Sequence, residues 1–474
     1  MLKRLAAPLG FILIMAMTAP ASAQIIVGGK AVQPATTDAT TPALVSLGFP
    51  MNPEAAGYNR ISVAAPAFSG ASETEADIAA KVAGLVRADL ASIGVFAAPD
   101  GASISTLTAD IGALPVWTDW SAAGVGALVV GKAIVGADNS LTIQFRVHDI
   151  AMRNQLVGKQ YRLPSTDAWR RAAHKVADDV MVALIGGKPG FDSRIAYLQE
   201  TGDGIRLGLV DHDGAQPEIV VQGTAGIEAP RVAPNNSGFV FSANAPVPGK
   251  PGQAQRTTLL RDYTGSQEPL TTQAQPNADV RYSADSASLI YSRKNGANTD
   301  IYMMSLSSRA EKRLTDDTAI DKQPALSPDG ALFAFVSDRG GRQGVHVARV
   351  DGAAMRCADG SEARSCKLTT ASGDHENPVW SPRGDWIAYS RIAGEQAAIH
   401  LVRPDGSDAR ALTTPAGKVL DLHPTWSPEG RRLAFTRVAG AGSAVHVIAL
   451  DGGEARSLGI AGESYEPDWG PKLP

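Results

Sequence analysis

Apolar and polar positions alternate in short segments through the C-terminal half of the chain. Residues 332–335, 386–389 and 433–435 are apolar runs, and each is followed by a second alternating segment that ends in an Asp-Gly turn. Alternation with a period of two, bounded by turn residues, predicts β-strands with one buried face. The C-terminal half is therefore predicted to be all-β and built from repeated hairpins.

A proline-containing phrase opens each of these repeats. It reads PALSPDG at residues 324–330, PVWSPRG at 378–384 and PTWSPEG at 424–430. The serines of successive phrases are 54 residues (327 to 381) and 46 residues (381 to 427) apart. A period of about 40–50 residues accommodates the four strands of a propeller blade.

Weaker copies of the phrase raise the number of repeats to six. Residues 233–234 and 283–284 each precede an apolar strand, while 467–471 match the opening phrase without a strand after it. The strand at 194–197, conversely, has no opening phrase before it. The two ends of the repeat region are therefore expected to complete one blade together, which closes a six-bladed β-propeller and removes exposed sheet edges.

The pattern is different in front of the repeats. Apolar residues recur at three- and four-residue steps over 75–93, which predicts an amphipathic helix ended by Gly94. A second such helix follows Ser165, its expected N-cap. The predicted strands are residues 61–65, 125–135, 141–149 and one that ends near 163. The order β-α-β-β-β-α indicates an α/β N-terminal domain over 24–190, followed by the propeller over 191–474.

The first 23 residues have the pattern of a secretory signal peptide. Basic residues at 3–4 precede an apolar stretch at 11–17, and Ala21-Ser22-Ala23 forms a cleavage site before Gln24. A membrane anchor is the alternative, but the apolar stretch is shorter than the ~20 residues that a span needs. We predict cleavage after Ala23, an exported mature chain and no membrane span.

Composition narrows the possible functions further. The chain of 474 residues is long enough for two or three domains, and its 48 glycines and 30 prolines fit a turn-rich β protein. The net charge is −4 and 19% of the residues are charged, so no broad basic surface predicts nucleic-acid binding.

The two cysteines, Cys357 and Cys366, lie in one hydrophilic insertion within the longest repeat interval. In an oxidising compartment, two nearby cysteines in a loop favour a disulfide. A two-cysteine metal site is the alternative, but the insertion contains no histidine and no further cysteine. We predict a disulfide and no metal.

The sequence offers little for catalysis. Propellers with this repeat occur in serine peptidases, but the chain lacks the G-x-S-x-G motif that the nucleophile needs. The sialidase-like turn at 327–330 is not kept in the other repeats. His346, His400 and His446 occupy the same place in three blades, so they would not converge on one metal ion. We therefore predict that the protein is not an enzyme and has no cofactor.

Polar clusters just before the opening phrases are more suggestive of binding. As loops leading into the innermost strands, they would gather at one mouth of the central channel and form a protein-docking surface. Alternatively, these polar loops simply face water. The candidate residues are Asp321, Asp374, His375, Glu376, Asp421, His423, Tyr465 and Glu466.

Taken together, these features resemble the TolB family, the periplasmic component of the Tol–Pal envelope system. The likeness covers nearly the whole mature chain. Besides the S-P-[DE]-G repeats, residues 86–94, 120–131 and 191–197 are similar to the family's first helix, its central helix–strand passage and its domain junction.

The resemblance implies a non-enzymatic, monomeric scaffold that supports outer-membrane integrity and cell division. Its propeller would bind a Pal-like peptidoglycan-associated lipoprotein through the channel-mouth residues, with His375 at a position that the family uses for this contact. Its N-terminal arm, Gln24, Ile25, Ile26 and Val27, would bind a TolA-like inner-membrane protein. The spacer from the arm to Ile61 is longer than usual. An exported propeller that binds or cleaves a small peptide or glycan is the alternative.

Overall fold

The computed structural model describes residues 26–27, 30–31, 60–224, 226–246, 254–270 and 277–474. The first two short strands, β1 (Ile26–Val27) and β2 (Lys30–Ala31), pair antiparallel, with Ile26 opposite Ala31. The predicted signal peptide and the arm residues Gln24 and Ile25 lie outside the described residues.

A mixed α/β domain follows. Its strands are β3 (Ile61–Ala64), β4 (Phe96–Ala97), β5 (Ala127–Val135), β6 (Leu141–Asp149) and β7 (Asn154–Leu163). Its helices are α1 (Glu73–Ala91), α2 (Gly101–Ile104), α3 (Trp117–Ala122) and α4 (Trp169–Ile185), the last preceded by a 3₁₀ turn, Thr166–Ala168. The sheet order is β4-β3-β5-β6-β7, and β3 is parallel to both of its neighbours. The predicted domain class is confirmed, although β4 and α2 were not predicted and the helix α3 was implied only by the family resemblance of residues 120–131.

The two long helices begin differently from each other. Helix α1 starts two residues before the prediction because Ser72 and Glu75 form a capping box, in which each side chain accepts from the other residue's backbone N–H. The predicted cap of α4 is wrong: Ser165 makes no side-chain capping bond, and the 3₁₀ turn separates it from the α-helix. Both helices pack their apolar faces on one side of the sheet, whereas Trp120 of α3 packs on the other.

From residue 193 onward, the described residues form six four-stranded blades. Blade 1 contains β8 (Ser193–Thr201), β9 (Gly204–Asp211), β10 (Glu218–Thr224) and, from the C-terminus, β33 (Ser464–Lys472). Blade 2 contains β11 (Glu228–Val232), β12 (Gly238–Pro246), β13 (Ala254–Asp262) and β14 (Gln267–Pro269). Blade 3 contains β15 (Asn277–Tyr282), β16 (Ser288–Asn295), β17 (Asn298–Ser305) and β18 (Glu311–Arg313).

Blade 4 contains β19 (Asp321–Leu326), β20 (Leu332–Ser337) and β21 (Gly344–Arg349), then an inserted hairpin of β22 (Met355–Arg356) and β23 (Glu362–Ala363), then the outer strand β24 (Ser365–Lys367). Blade 5 contains β25 (Asp374–Trp380), β26 (Ile387–Ala393), β27 (Gln396–Val402) and β28 (Arg410–Ala411). Blade 6 contains β29 (Val419–Trp426), β30 (Arg432–Ala439), β31 (Gly442–Ala449) and β32 (Arg456–Ser457).

The C-terminal strand closes the ring, as the sequence predicts. Strand β33 pairs antiparallel with β8, and Trp469 lies opposite Ile195. Trp469 is buried, as are Trp380 and Trp426 at the equivalent positions of blades 5 and 6. Its indole N–H donates to Ser193 Oγ at 2.9 Å. The last strand is therefore an integral part of the first blade.

The propeller core lies between the blades rather than within them. Each of its six apolar clusters joins two neighbouring blades: Phe239 meets Leu207 between blades 2 and 1, for example, and Ala434 meets Ile195 between blades 6 and 1. Six such contacts around six blades form a closed cycle. Each repeated His packs against the aromatic ring across the strand, such as His400 against Tyr389 at 5.6 Å between ring centres.

The insertion in blade 4 contains a disulfide between Cys357 and Cys366. Cys366 belongs to the outer strand β24 and is buried with Val347, Leu368 and Trp380. The disulfide therefore ties the inserted hairpin to the blade core, whereas the sequence placed both cysteines in the loop.

Candidate protein-binding faces

The channel mouth is formed by the starts of the six innermost strands. The sequence predicted polar loops there, which is wrong: Asp321, Asp374 and Ser464 are already the first residues of β19, β25 and β33. Each innermost strand has a bulge near its start, because one residue adopts a left-handed conformation with φ between +47° and +55°. These six residues are Ala229, Asp279, Gln323, Asn377, His423 and Glu466.

The bulges link one blade to the next. Asp279 Oδ2 accepts the backbone N–H of Gln323 at 3.2 Å, and Gln323 Oε1 accepts that of Asn377 at 2.8 Å. In the same way, Glu466 Oε2 in the C-terminal strand of blade 1 accepts the backbone N–H of Ala229 in blade 2 at 2.7 Å. Side chains at this register thus satisfy backbone donors that the bulge releases from the ladder. The mouth is held by hydrogen bonds and is not a set of free loops.

Three of the predicted docking residues are not on the surface. Asp321 and Asp421 are fully buried within their blades, where they accept hydrogen bonds from arginines: Arg339 at 2.6 Å, and Arg437 at 2.7 and 2.8 Å. His375 is 1% exposed. Its Nδ1 lies 3.2 Å from the carbonyl oxygen of Gln343. The expectation that these three side chains contact a partner is therefore corrected: the strand pleat turns them inward.

The other five predicted residues reach the mouth. Asp374 is exposed, and Glu376 is half-buried, 3.1 Å from Lys322 Nζ of the neighbouring blade. His423, Tyr465 and Glu466 are half-buried. Burial lowers the pKa of His423, and the nearby Arg231 lowers it further. The carboxylates of Glu466 and Glu376 act in the opposite direction. Burial also raises the pKa of Tyr465 to about 12, so both side chains are neutral at pH 7.

Deeper in the channel lies a charged set that the sequence analysis missed. Arg231, Arg281 and Asp468 each come two residues after a left-handed position, and this spacing is the signal that could have found them. Arg231 Nε is 3.9 Å from Asp468 Oδ1. Burial, together with repulsion from Arg231, lowers the pKa of Arg281 to about 9. The channel therefore contains both charge signs.

The N-terminal domain packs at the opposite end of the blades. The innermost strands run from the mouth toward the Ser-Pro-x-Gly turns, and Gly190 approaches the turn residue Glu429 so closely that a side chain at 190 would collide with it. Arg60 forms an ion pair with Asp451 of a blade 6 turn at 3.2 Å. The mouth is therefore left uncovered by the described part of the N-terminal domain.

A buried polar network fills the junction between the two domains. His174 of α4 contacts Asp89 of α1, with 2.7 Å between Nδ1 and Oδ2. His212, in the turn after β9, approaches the other oxygen of Asp89 at 3.2 Å. Arg432 Nη1 lies 2.9 Å from His212 Nδ1, and Arg432 Nε donates to Glu429 at 2.8 Å. All five side chains are more than 90% buried.

The donors in this network decide its protonation. Arg432 can only donate, so His212 Nδ1 accepts and its Nε2–H donates to Asp89. Burial and Arg432 lower the pKa of His212, whereas the two histidines hold the pKa of Asp89 below its usual range despite burial. The ligand atoms of Asp89, His174 and His212 lie within 4.8 Å of one another. Because Arg432 donates to His212, these three side chains are joined by a chain of hydrogen bonds in the structure.

One residue in the sequence indicates this network. Arg432 is the second residue after the third opening phrase. The same position after the first two phrases holds the apolar residues Leu332 and Trp386. An arginine at an apolar repeat position indicates a buried partner for its charge. His212 lies in the turn after β9, and the sequence analysis predicted no role for it at the junction.

Both domains of the chain match known protein families. The family model described as the TolB beta propeller domain matches residues 182–473, and the one described as the TolB amino-terminal domain matches residues 54–156. The chain belongs to the TolB family. Among curated proteins, it is similar to the Tol-Pal system protein TolB of Gluconobacter oxydans, with 31% identity over 70% of this chain and 68% of the relative.

Two further comparisons agree with the TolB assignment. The Tol-Pal system protein TolB of Dinoroseobacter shibae is 35% identical over 55% of this chain and 58% of that protein. The crystal structure of TolB from Acinetobacter baumannii superposes with a TM-score of 0.70 and 25% identity, covering 87% of this chain and 97% of the other. Within the described residues, no helix has the length and apolar character needed to span a membrane.

Proposed function

We propose that this TolB family member is a non-enzymatic periplasmic scaffold of the Tol–Pal system. Its propeller binds a Pal-like peptidoglycan-associated lipoprotein, and its N-terminal arm binds a TolA-like inner-membrane protein. The role supports outer-membrane integrity and constriction at cell division. Family membership supports the system, since the similar curated proteins are Tol-Pal system proteins. The signal-peptide pattern of residues 1–23 supports export.

The uncovered channel mouth is the observation that carries the lipoprotein contact. Its accessible polar side chains belong to strands that hydrogen bonds join between neighbouring blades, so binding would require little ordering of the scaffold. The described part of the N-terminal domain occupies the other end of the blades and leaves this face free. The proposed contact residues are Asp374, Glu376, His423, Tyr465 and Glu466.

The arm is proposed as a second, separate site. Ile26 and Val27 are strand residues with β-branched side chains, which suits capture by an edge strand of a partner. The arm and the channel mouth belong to different domains. The two contacts are therefore expected to be separable by mutation.

Calorimetric titration of the mature protein with the soluble part of a Pal-like lipoprotein tests the first contact. Glu376→Ala with His423→Ala should weaken binding, since truncating one such contact costs about 2 kcal/mol, roughly thirtyfold in affinity. Glu268→Ala on the outer strand of blade 2, where the side chain is 55% exposed, is the control and should bind like wild type. Unchanged affinity of the double variant would show that the lipoprotein uses another face.

Deletion of residues 24–34 tests the second contact. It should abolish binding of a TolA-like domain and leave lipoprotein affinity unchanged, or changed only through coupling between the sites. If the deleted protein still binds the TolA-like domain, the arm is not the binding element.

A further inference from the structure

His174 occupies an unusual position at the junction of the two domains. It is 3% exposed and points from α4 of the N-terminal domain toward the turn after β9 of the propeller. Its Nδ1 is bound to Asp89, whereas its Nε2 is buried without a hydrogen-bond partner among the described residues. One of its ring nitrogens lies within 4.8 Å of carboxylate oxygens of Asp211 and Asp213. The imidazole is therefore enclosed by carboxylates from both domains.

The neighbouring histidine cannot take the same role. His212 contacts His174 edge to face, with 4.8 Å between ring centres, but its Nδ1 already accepts a hydrogen bond from Arg432. His212 is therefore neutral, and a proton at this contact is shared between His174 and the surrounding carboxylates. Two adjacent imidazoles in opposite environments mark a site where one carries the proton and the other does not.

We propose that His174 is a proton-dependent latch between the two domains: its imidazolium bridges Asp89 of the N-terminal domain and Asp211 and Asp213 of the propeller, so that domain docking weakens as this proton is lost. The latch is independent of the proposed binding partners. It would make the relative position of the two domains sensitive to pH at neutral to mildly alkaline values.

The charges around His174 favour this assignment. Asp89 faces it from α1, and Asp211, His212 and Asp213 face it from the propeller turn. On its own helix, Arg170 pairs with Asp213 and lies 3.8 Å from Asp211. From the propeller side, Arg432 and Glu429 reach it only through His212. Arg194 of β8 lies 3.5 Å from Asp211 Oδ1. Three carboxylates against the guanidinium groups of Arg170 and Arg194 still leave a net negative charge beside the imidazole.

The direction of the pKa agrees with the geometry. Burial opposes protonation of His174, but Asp89, Asp213 and Asp211 outweigh it and raise its pKa above the usual 6.5. The pKa values of the other seven histidines are all lowered, chiefly by burial. A raised folded-state pKa gives stability that is fully present below pH 6.5 and is lost as pH rises through the folded value. The lowered histidines act on the acid side instead, so the alkaline side distinguishes His174.

The test uses the mature full-length chain and its His174→Asn variant, whose amide can still donate to Asp89 but does not titrate. Carbon-13-labelled histidine is followed by NMR, and the resonance missing from the variant is assigned to His174. It should titrate above pH 6.5. Thermal melts from pH 6.5 to 9 should show a fall in the wild-type Tm that the variant lacks, about 1–2 °C for each tenfold rise in proton affinity. His400→Asn, in blade 5 away from the junction, should keep the fall.

Three results would overturn the latch. The first is titration of His174 at or below pH 6.5. The second is a Tm profile of His174→Asn that runs parallel to wild type from pH 6.5 to 9. The third is a lower Tm in EDTA that zinc chloride restores, which would identify a metal site in place of the proton. Should His174→Asn fail to fold, Asp211→Asn provides the second variant: it should lower the titration midpoint of His174 in the intact protein.

Discussion

The channel mouth and the domain junction contain similar side chains in opposite settings. At the mouth, Glu376 and Lys322 are about one quarter exposed, so their ion pair contributes little to stability. At the junction, Arg432 and Glu429 are at most 2% exposed, and the loss of either one leaves a buried charge without a partner. The same kinds of residue therefore provide a surface available for recognition in one region and a rigid connection in the other.

The two regions also differ in how the repeats encode them. The mouth residues recur at one register of every blade, so the repeat itself creates the ring. The junction residues break the repeat. Position 429 shows this, because the equivalent Asp329 accepts from Ser327 within its own turn at 2.5 Å, whereas Glu429 is buried against Arg432. A feature that recurs at one position of every blade thus belongs to the common architecture of the propeller. A residue that departs from the repeat indicates a contact specific to one blade.

Removing β33 should have the largest effect because the strand serves both regions. Its start carries Tyr465 and Glu466 at the mouth, and its Trp469 stacks on His212 at the junction. Truncation after Leu458 should give aggregated or protease-sensitive protein, since it removes a buried tryptophan worth roughly 3–5 kcal/mol and exposes sheet edges. Truncation after Lys472 is the control. A chain ending at Leu458 that purifies as a stable monomer would exclude this closure.

Arg432→Met should be the most harmful single substitution at the junction. It keeps the volume but leaves Glu429 buried and unpaired, at an expected cost of about 3–5 kcal/mol in the free energy of unfolding. Adding Glu429→Gln should recover part of the loss. Arg349→Met, at the end of β21 where the side chain is 41% exposed, is the matched control. Equal denaturation midpoints for Arg432→Met and wild type would contradict the inference that the charges at the junction, unlike those at the mouth, are needed for stability.

The disulfide lies in neither region, and its removal should cost less stability than a change at the junction and more than one at the mouth. Cys357→Ala opens a short loop and should cost about 2–3 kcal/mol, because the unfolded chain regains freedom, while Cys366 stays packed in blade 4. Thermal melts should show a Tm lower by less than about ten degrees. A larger fall would mean that the bridge supports the core of blade 4 itself.

The smallest effect on stability is expected at the mouth. Lys322→Met with Glu376→Gln should change the free energy of unfolding by less than about 1 kcal/mol, since the pair is partly solvated. The same variant should bind the lipoprotein more weakly. A stability loss as large as that of Arg432→Met would show that the mouth, too, is primarily structural.

Much of the fold could be predicted because it depends on local pattern. The period of the opening phrase predicted six blades, and the unmatched ends at 194–197 and 467–471 predicted the closure. The candidate sites were harder to predict because they depend on which way a side chain points. Asp321 and Asp421 looked like surface acids, yet the pleat directs them to Arg339 and Arg437. No local pattern reveals a partner 16 or 18 residues away across a bulged strand.

Ring closure also has a consequence for the order of folding. Ser193 and Trp469 are separated by 276 residues in sequence but share a hydrogen bond in blade 1. Because the chain is synthesised from its N-terminus, blades 2 to 6 can pair their strands while blade 1 still lacks its innermost strand. Contacts of such long range are formed late and slow the reaction. Until they form, the open edge of β8 is a place where two partly folded molecules could exchange strands. Pairing of the final residues with β8 covers this edge and ends the exchange.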